Sequence, residues 1–395
     1  MTYTNADKAK HGQSAQNSLE NILDFFKEKG YLANVSINYR VGKPGFSQQQ
    51  FYAPFLIEFN DSTKWALFTT TSMRTDRIKG QQWDAMNLKE ISQQVTSVYL
   101  VYPDGLDSKE RNKFIKQGEK YTKHEEYSAI DAIVSQDQIS NLIEEYSLQN
   151  KSVGQIKDIQ GNNFESRVAR LLSYSENLMK WKTNSNIAEG LHYDAFKKIV
   201  DCFNLDKSKT KSIEATADKS TIGKLPSKGN PKTDVLVEVF NEDGSSFFLT
   251  ISCKRSSEKN VSVHQYTAES FSNVLDPENE SLKSLLNDFQ AAGSLSGLGE
   301  SKCSQLTEEI KPYVRDLTFW VLGGHNGEGD PETQWANYIL TYDNNEGDIA
   351  IHRIEEYYNL LMNEGKASNF GTPFSWTYPS KKRGKSIQLK CKIIK

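Results

Sequence analysis

The chain of 395 residues has only four cysteines, Cys202, Cys253, Cys303 and Cys391, and no CxxC pair. That spacing excludes a disulfide framework and a cysteine-based zinc site, and leaves reduced thiols. There is also no run of about 18 apolar residues, and the opening "MTYTNADKAKHGQSAQ" lacks the apolar stretch of a signal peptide. No membrane association is expected, and the location expected is cytoplasmic. Net positive charge is missing too, since 48 Lys and Arg stand against 51 Asp and Glu. Any nucleic-acid footprint must therefore be local. One is present: "SWTYPSKKRGKSIQLKCKIIK" carries Lys381, Lys382, Arg383, Lys385, Lys390, Lys392 and Lys395 without a single acid.

What the sequence does contain is the composition of folded cores, with 37% hydrophobic, 11% aromatic and 25% charged residues. Its length favours two domains. Over residues 1–150, Leu19, Ile22, Leu23 and Phe26 recur at helical spacing up to Gly30. "FYAPFLIEF" (51–59), "KWALFTTTS" (64–72) and "SVYLVYP" (97–103) read as strands, and "SQDQISNLIEEY" (135–146) as a closing helix. The weakly apolar "SLQNKSVGQIKDIQG" (147–161) reads as a linker. From about 160 to 395 a second domain follows. Phe164, Val168, Leu171 and Leu172 mark one helical face and "LHYDAFKKIVDCFNL" a second amphipathic helix. Next come a strand pair, further strands in "PYVRDLTFWVLGG" and "WANYILTYD", and a helix in "HRIEEYYNLLMNEG" stopped by Gly365. No internal repeat is visible. The fold class expected is α/β, a mixed sheet flanked by helices, in both halves.

The chemistry concentrates in "GNPKTDVLVEVFNEDGSSFFLTISCKRSS" (229–257). Asp234 opens a strand, "NEDG" turns the chain, and "FFLTISCK" returns it. Side chains alternate along a strand, so Ser252 and Lys254 share a face that Asp234 can join. Asp234 as a metal ligand and Lys254 orienting a water would suit attack on a phosphodiester. Glu238 and Glu258 each lie four residues from a site residue, about 13 Å along an extended strand, which is too far to share the metal. Glu165, on the preceding helix beside its apolar face, is the better second carboxylate. The competing reading is a solvated hairpin with charged strand ends.

Five stretches, "FESRVARLL", "GNPKTD", "ISCKRSSEKNVSVHQY", "KPYVRDLTFW" and "KASNFGTPFSWTYPSKKRGKSIQLK", resemble the MspI-type restriction endonucleases of the PD-(D/E)XK superfamily. The resemblance spans most of the chain beyond residue 160. It implies a PD-(D/E)XK restriction-endonuclease-like core, Mg2+ as cofactor, duplex DNA as partner and CCGG as target. That family pairs an aspartate with an asparagine and a lysine, which implies Asp234, Ser252 and Lys254 as catalytic residues here, with Asp234 on the metal. Only Ser252 departs, a shorter side chain for an already neutral one. The resemblance further implies base reading by Ser262, Thr377, Tyr378, Gln388 and Lys390, which supply donors and acceptors to base edges. Lys381, Lys382 and Arg383, with Lys385, would grip phosphates. A cognate methyltransferase is the implied functional partner, and the acting form a monomer or homodimer. The alternatives are a DNA-binding protein with an inactive nuclease core and a repair nuclease that reads DNA structure.

The first 150 residues lie outside that resemblance. Their "PFLIEF…KWALFTTTSMRTDRIKG" repeats the order of a nuclease core, with Glu58 in the aspartate's place and Thr70 and Ser72 on the next strand. A decayed nuclease-like module with Arg74, Arg77 and Lys79 on phosphates is one expectation, an ordinary accessory α/β domain the other. Weaker signals read blandly. "RGKS" has Pro379 where a phosphate loop needs its first glycine, "LGGHNGEGD" (322–330) reads as a surface turn, and "HEEYS" at 124 has no second histidine. His264 and His325 read as surface or hydrogen-bonded histidines, His264 close enough to the catalytic strand to reach DNA.

Overall fold

In the computed structural model the described residues are 5–42, 51–92, 94–104, 106, 108–122, 128–183, 190–256, 258, 260–344, 348–364, 369–379 and 383–394. Lys381, Lys382, Lys395, His124 and the expected helix stop Gly365 lie outside them. The chain forms two compact units, Met1–Lys157 with Tyr174–Lys197, and Asp158–Ser173 with Lys198–Lys395. Residues 174–197 thus group with the first unit, although a single boundary between 150 and 160 was expected. No helix of the described residues is long and apolar enough to cross a membrane.

The first unit runs α1 (Asn5–Glu28), β1 (Leu32–Val41), β2 (Phe51–Phe59), β3 (Lys64–Thr69), α2 (Thr75–Ile91), β4 (Val95–Tyr102), α3 (Ser108–Thr122), β5 (Ala132–Ser135) and α4 (Gln136–Leu148). Its sheet has the order β1-β2-β3-β4-β5, with β1, β2 and β3 antiparallel and β4 and β5 parallel to β3. The two central strands read correctly because both are nearly continuous apolar runs, β2 being buried almost throughout. β1 escaped the sequence reading because its residues are mostly exposed and polar, as an edge strand allows. The expected linker is mostly helix. After α4 the chain re-enters helix at α5 (Val153–Ser173), and the Ser152 hydroxyl accepts from the Gln155 amide in a capping box. Low apolar content concealed an S-x-x-Q start signal that the sequence does carry.

After α5 the chain passes through α6 (Ser175–Thr183), which groups with the first unit, and α7 (Tyr193–Phe203), and the second unit continues β6 (Thr210–Thr216), α8 (Lys219–Ile222), β7 (Val235–Asn241), β8 (Ser246–Ser256), β9 (Asn260–Tyr266), α9 (Ala268–Leu275), α10 (Glu280–Ala292), α11 (Leu295–Leu298), α12 (Glu300–Ile310), α13 (Val314–Gly323), β10 (Tyr338–Asp343), β11 (Asp348–Arg353), α14 (Ile354–Asn363), β12 (Ser375–Thr377) and β13 (Ile387–Lys392). One sheet has the order β11-β10-β8-β7-β6 and a smaller one β12-β13-β9. In the larger sheet β6, β7 and β8 are antiparallel and β10 runs parallel to β8. The first unit shows the same arrangement in β1 to β4, a structural repeat that residue identity does not reveal. "PYVRDLTFWVLGG" is a correction, because it forms α13 and not a strand. Its β-branched and aromatic residues suggest a strand, yet Leu317, Trp320 and Val321 are buried at helical spacing. The observed class is the α/β class expected, mixed sheets flanked by helices.

Candidate active site and nucleic-acid interface

The site grows from the β7–β8 hairpin. The Asp243 carboxylate accepts from the Ser245 amide and hydroxyl, and Gly244 takes φ +87°, a left-handed conformation that suits glycine. This turn sets the register Val235↔Ile251, and the Asp234 amide donates to the Ile251 carbonyl at 2.8 Å. Asp234 therefore stands beside Ser252 at the far end of the hairpin. Its Oδ2 accepts from the Cys253 amide at 2.8 Å, the Ser252 hydroxyl at 3.2 Å and Lys254 Nζ at 3.3 Å. Lys254 Nζ also donates to Ser252 Oγ at 2.7 Å and to the Cys253 carbonyl at 2.9 Å. The three residues singled out in the sequence thus meet. Ser252 is fully buried, and its hydroxyl bridges the carboxylate and the ammonium.

Glu165 joins them from α5, where it borders the buried stripe of Phe164, Val168 and Leu172. Burial raises its carboxyl pKa, with the Asp234 charge adding to the effect and Lys219 opposing it. Lys219, on the one-turn helix α8, donates to Glu165 Oε2 at 2.8 Å and lies 3.6 Å from Asp234 Oδ1. Burial alone would lower its pKa, but the two carboxylates outweigh that and hold it above the ordinary lysine value. Sequence reasoning missed this residue. Lys232, of the Pro-Lys-Thr-Asp lead-in, is half-buried and donates from Nζ to the Val263 carbonyl at 2.7 Å. Burial, reinforced by the Lys254 charge, lowers its pKa to about 7. Glu238 accepts from Ser246 beside the hairpin turn, remote from the site as its spacing required.

The oxygens facing this point are the Asp234 and Glu165 carboxylates, the Ser252 hydroxyl and the Cys253 carbonyl. Among the described residues no three His, Cys, Asp or Glu side chains form a metal-binding group. Oxygen donors with no more than two carboxylates suit a hard divalent cation that keeps several waters, and do not suit zinc. The residues present fit such an ion.

The small sheet carries the expected base-reading residues. On β13 Ile387, Leu389 and Cys391 are buried, which leaves Gln388 and Lys390 on the opposite, accessible face. Thr377 pairs with Gln388 in register, and the Gln388 amide donates to Ser262 Oγ at 2.9 Å. Ser262, Thr377, Gln388 and Lys390 therefore share one sheet. Tyr378 sits differently, its ring stacked on Phe289 and its hydroxyl donating to the Phe289 carbonyl. Burial raises its pKa to about 12. Arg383 donates from Nε to the Gly293 carbonyl at the end of α10.

His264 is a correction. The β13–β9 register slips by one residue between Leu389↔His264 and Lys390↔Ser262, a bulge that turns both Val263 and His264 inward. His264 is 4% exposed, its imidazole lies among Tyr266, Phe271 and Trp320, and neither ring nitrogen has a hydrogen-bond partner among the described residues. It is not a surface histidine. Burial, with Lys232 adding to it, holds its pKa well below the ordinary value. Because the folded chain resists this protonation and the unfolded chain does not, the contribution of His264 to stability is complete above about pH 6.5 and falls as pH drops toward the folded-state pKa. The expected loss is about 1.4 kcal/mol per pH unit across that window. Melting curves from pH 8 to pH 5 should therefore show a smaller decline for His264→Phe than for the parent chain. Equal declines would reject this account. His325, by contrast, bonds the Ala336 carbonyl at 3.0 Å, as expected of a hydrogen-bonded histidine.

In the first unit Glu58 does not occupy the aspartate's place. It pairs in register with Lys64 beside the β2–β3 turn, whereas Thr70 lies beyond the other end of β3, about 20 Å away at strand spacing. Continuing the Phe55↔Leu67 register brings Tyr52 opposite Thr70, and its hydroxyl donates to Asn38. Arg74 forms a two-pronged pair with Asp76 at the start of α2, while Arg77 and Lys79 are exposed on the same helix.

Strand order and site together place the second unit among the PD-(D/E)XK nucleases. A family model described as restriction endonuclease MspI matches residues 139–391. The type II restriction enzyme BsuFI of Bacillus subtilis is 30% identical over 409 residues, covering 99% of each chain. The type II restriction enzyme MspI of Moraxella sp is 26% identical over 245 residues, 60% of this chain and 91% of that enzyme. A crystal structure of MspI with its cognate DNA shares the fold at TM-score 0.55 and 24% identity, over 64% of this chain and 98% of that one. The chain belongs to the MspI restriction endonuclease family and is a type II restriction endonuclease.

Proposed function

We propose that this enzyme hydrolyses both strands of duplex DNA at a short palindrome, CCGG, with Mg2+ as cofactor, leaving 5′-phosphates. The convergence of Asp234, Ser252 and Lys254 at one oxygen-lined point carries the reading. Asp234, with Glu165 behind it, would hold Mg2+, which when bound supplies Lewis acidity toward the phosphodiester. Lys254 stands ready to donate a hydrogen bond to the attacking water and to stabilise the charge that grows on phosphate. Ser252 keeps that ammonium in place. The water oxygen bonds to phosphorus as the bond to the 3′-oxygen breaks; one proton lost by the water is balanced by the proton the departing 3′-oxygen takes up to become a hydroxyl, and the other stays with the new 5′-phosphate or passes to solvent. Ser262, Thr377, Gln388 and Lys390 are proposed to read base edges, with Tyr378 ordering the strand end beside them. Arg383, Lys381 and Lys382 are proposed to hold phosphates. The first unit would be an accessory DNA-contacting module, and a cognate methyltransferase would protect host DNA.

Digestion of a plasmid of known sequence, with Mg2+ and with EDTA, tests this. Discrete Mg2+-dependent fragments with 5′-phosphate ends at CCGG are expected, and none with EDTA. Fragments at random sequence would reject the target assignment, and cleavage in EDTA would reject the metal.

A further inference from the structure

Among the described residues, Lys219 is the ammonium group at the site that neither the hairpin nor the base-reading sheet accounts for. It bridges the two carboxylates, 2.8 Å from Glu165 Oε2 and 3.6 Å from Asp234 Oδ1. Lys254 meets the same aspartate at the other oxygen, Oδ2. We propose that Lys219 is a placeholder cation, whose ammonium stands where the metal is received and must leave Glu165 and Asp234 before a divalent ion binds. This rests on the reading that Asp234 and Glu165 hold the metal.

The two lysines are bound unequally. Lys254 reaches three acceptors, Asp234 Oδ2, Ser252 Oγ and the Cys253 carbonyl, and is the more firmly anchored of the two. Lys219 has one hydrogen bond and one longer ion pair, and its side chain is 37% exposed against 16% for Lys254. Its backbone is held independently. The Asp218 side chain caps α8, Ile222 is buried, and Gln334 Nε2 donates to the Ile222 carbonyl. The side chain can therefore swing into solvent without disturbing α8, while Lys254 stays. Electrostatics favours the exchange as well as requiring it. Two carboxylates facing one point without a cation repel, and Lys219, within reach of both, relieves that repulsion until a divalent ion replaces it. A chain without Lys219 should accept the ion more readily, because no ammonium has to be displaced.

Titration of the full, DNA-free chain with Mn2+, read by electron paramagnetic resonance, tests the proposal together with lysine acetylation read by mass spectrometry. Lys219→Met is expected to bind Mn2+ about tenfold more tightly than the parent, and Asp234→Asn to lose the binding. In the parent chain, acetylation of Lys219 should accelerate several-fold when saturating Ca2+ is added, while half-exposed Lys283 on α10 reacts at an unchanged rate. Tighter binding by Lys219→Met without faster acetylation would show a remote charge effect and overturn the proposal. Unchanged or weaker binding by Lys219→Met, with Asp234→Asn still defective, would overturn it while leaving the metal assignment intact. Parent affinity in Asp234→Asn would overturn both.

Discussion

Lys254→Met is expected to lower the rate of DNA cleavage by about a thousandfold or more while leaving binding to the target duplex within a few-fold of the parent. The argument starts from how the side chain is used. Its ammonium contacts only groups of the catalytic site, Asp234, Ser252 and the Cys253 carbonyl, and none of the base-reading face. Methionine keeps much of the volume and removes the charge and all three donors, so a folded chain with intact recognition strands should remain. On the proposed mechanism, what disappears is the donor for the attacking water and the positive charge beside the reacting phosphate. Single-turnover cleavage and gel-shift binding on one duplex separate the two effects. Cleavage within tenfold of the parent would remove Lys254 from the mechanism, and binding lost in parallel with cleavage would mean that the substitution had disturbed the fold. Ser252→Asn provides the companion measurement. Asparagine is the residue the resemblance implies here, and retained cleavage would show that serine and asparagine serve one function, orienting the lysine against Asp234.

How far the site could be read from sequence follows from how its residues are brought together. Asp234, Ser252 and Lys254 were legible because a single tight hairpin joins them, so strand alternation and a turn signal suffice to put them on one face. Glu165 was legible at one remove, since its helix shows a clear apolar stripe and the carboxylate borders it. Lys219 was not legible. It lies 54 residues from its Glu165 partner, on a helix of four residues too short to show periodicity, and only tertiary folding makes them neighbours. His264 was misplaced for a related reason, because a one-residue bulge reverses side-chain alternation without altering composition. Glu58 was misplaced because order along the chain was taken as a guide to position, whereas the β2–β3 register puts it at the opposite end of the sheet from Thr70. The α13 segment shows that apolar β-branched residues argue for burial before they argue for strand.

Trp376→Ala should cost the second unit about 3 to 5 kcal/mol, and it should weaken DNA binding through the strands it supports. Trp376 is 3% exposed and lies within ring contact of Phe271, Phe289 and Phe370, with centroid separations of 5.4, 5.8 and 5.3 Å. Its indole N–H donates to Thr372 Oγ1 at 2.9 Å, and its backbone amide donates to Asn369 Oδ1 at 2.8 Å. The side chain is thus the peg that fixes β12 to the helical core, and Thr377 follows it directly. β12 holds β13 in turn through the register Ser375↔Lys390 and Thr377↔Gln388. Alanine leaves a cavity among three rings and frees a strand of only three residues, which cannot keep its register on backbone pairing alone. Calorimetric unfolding should show the second unit destabilised, and hydrogen exchange should accelerate in residues 375–377 and 387–392 before the rest of the unit opens. Trp376→Phe separates packing from hydrogen bonding. It keeps most of the ring contacts and removes the indole donor, so a loss near 1 kcal/mol is expected. A stability change below about 1 kcal/mol for Trp376→Ala would refute the peg. Full stability loss with unchanged DNA affinity would show instead that β12 and β13 do not carry the recognition residues.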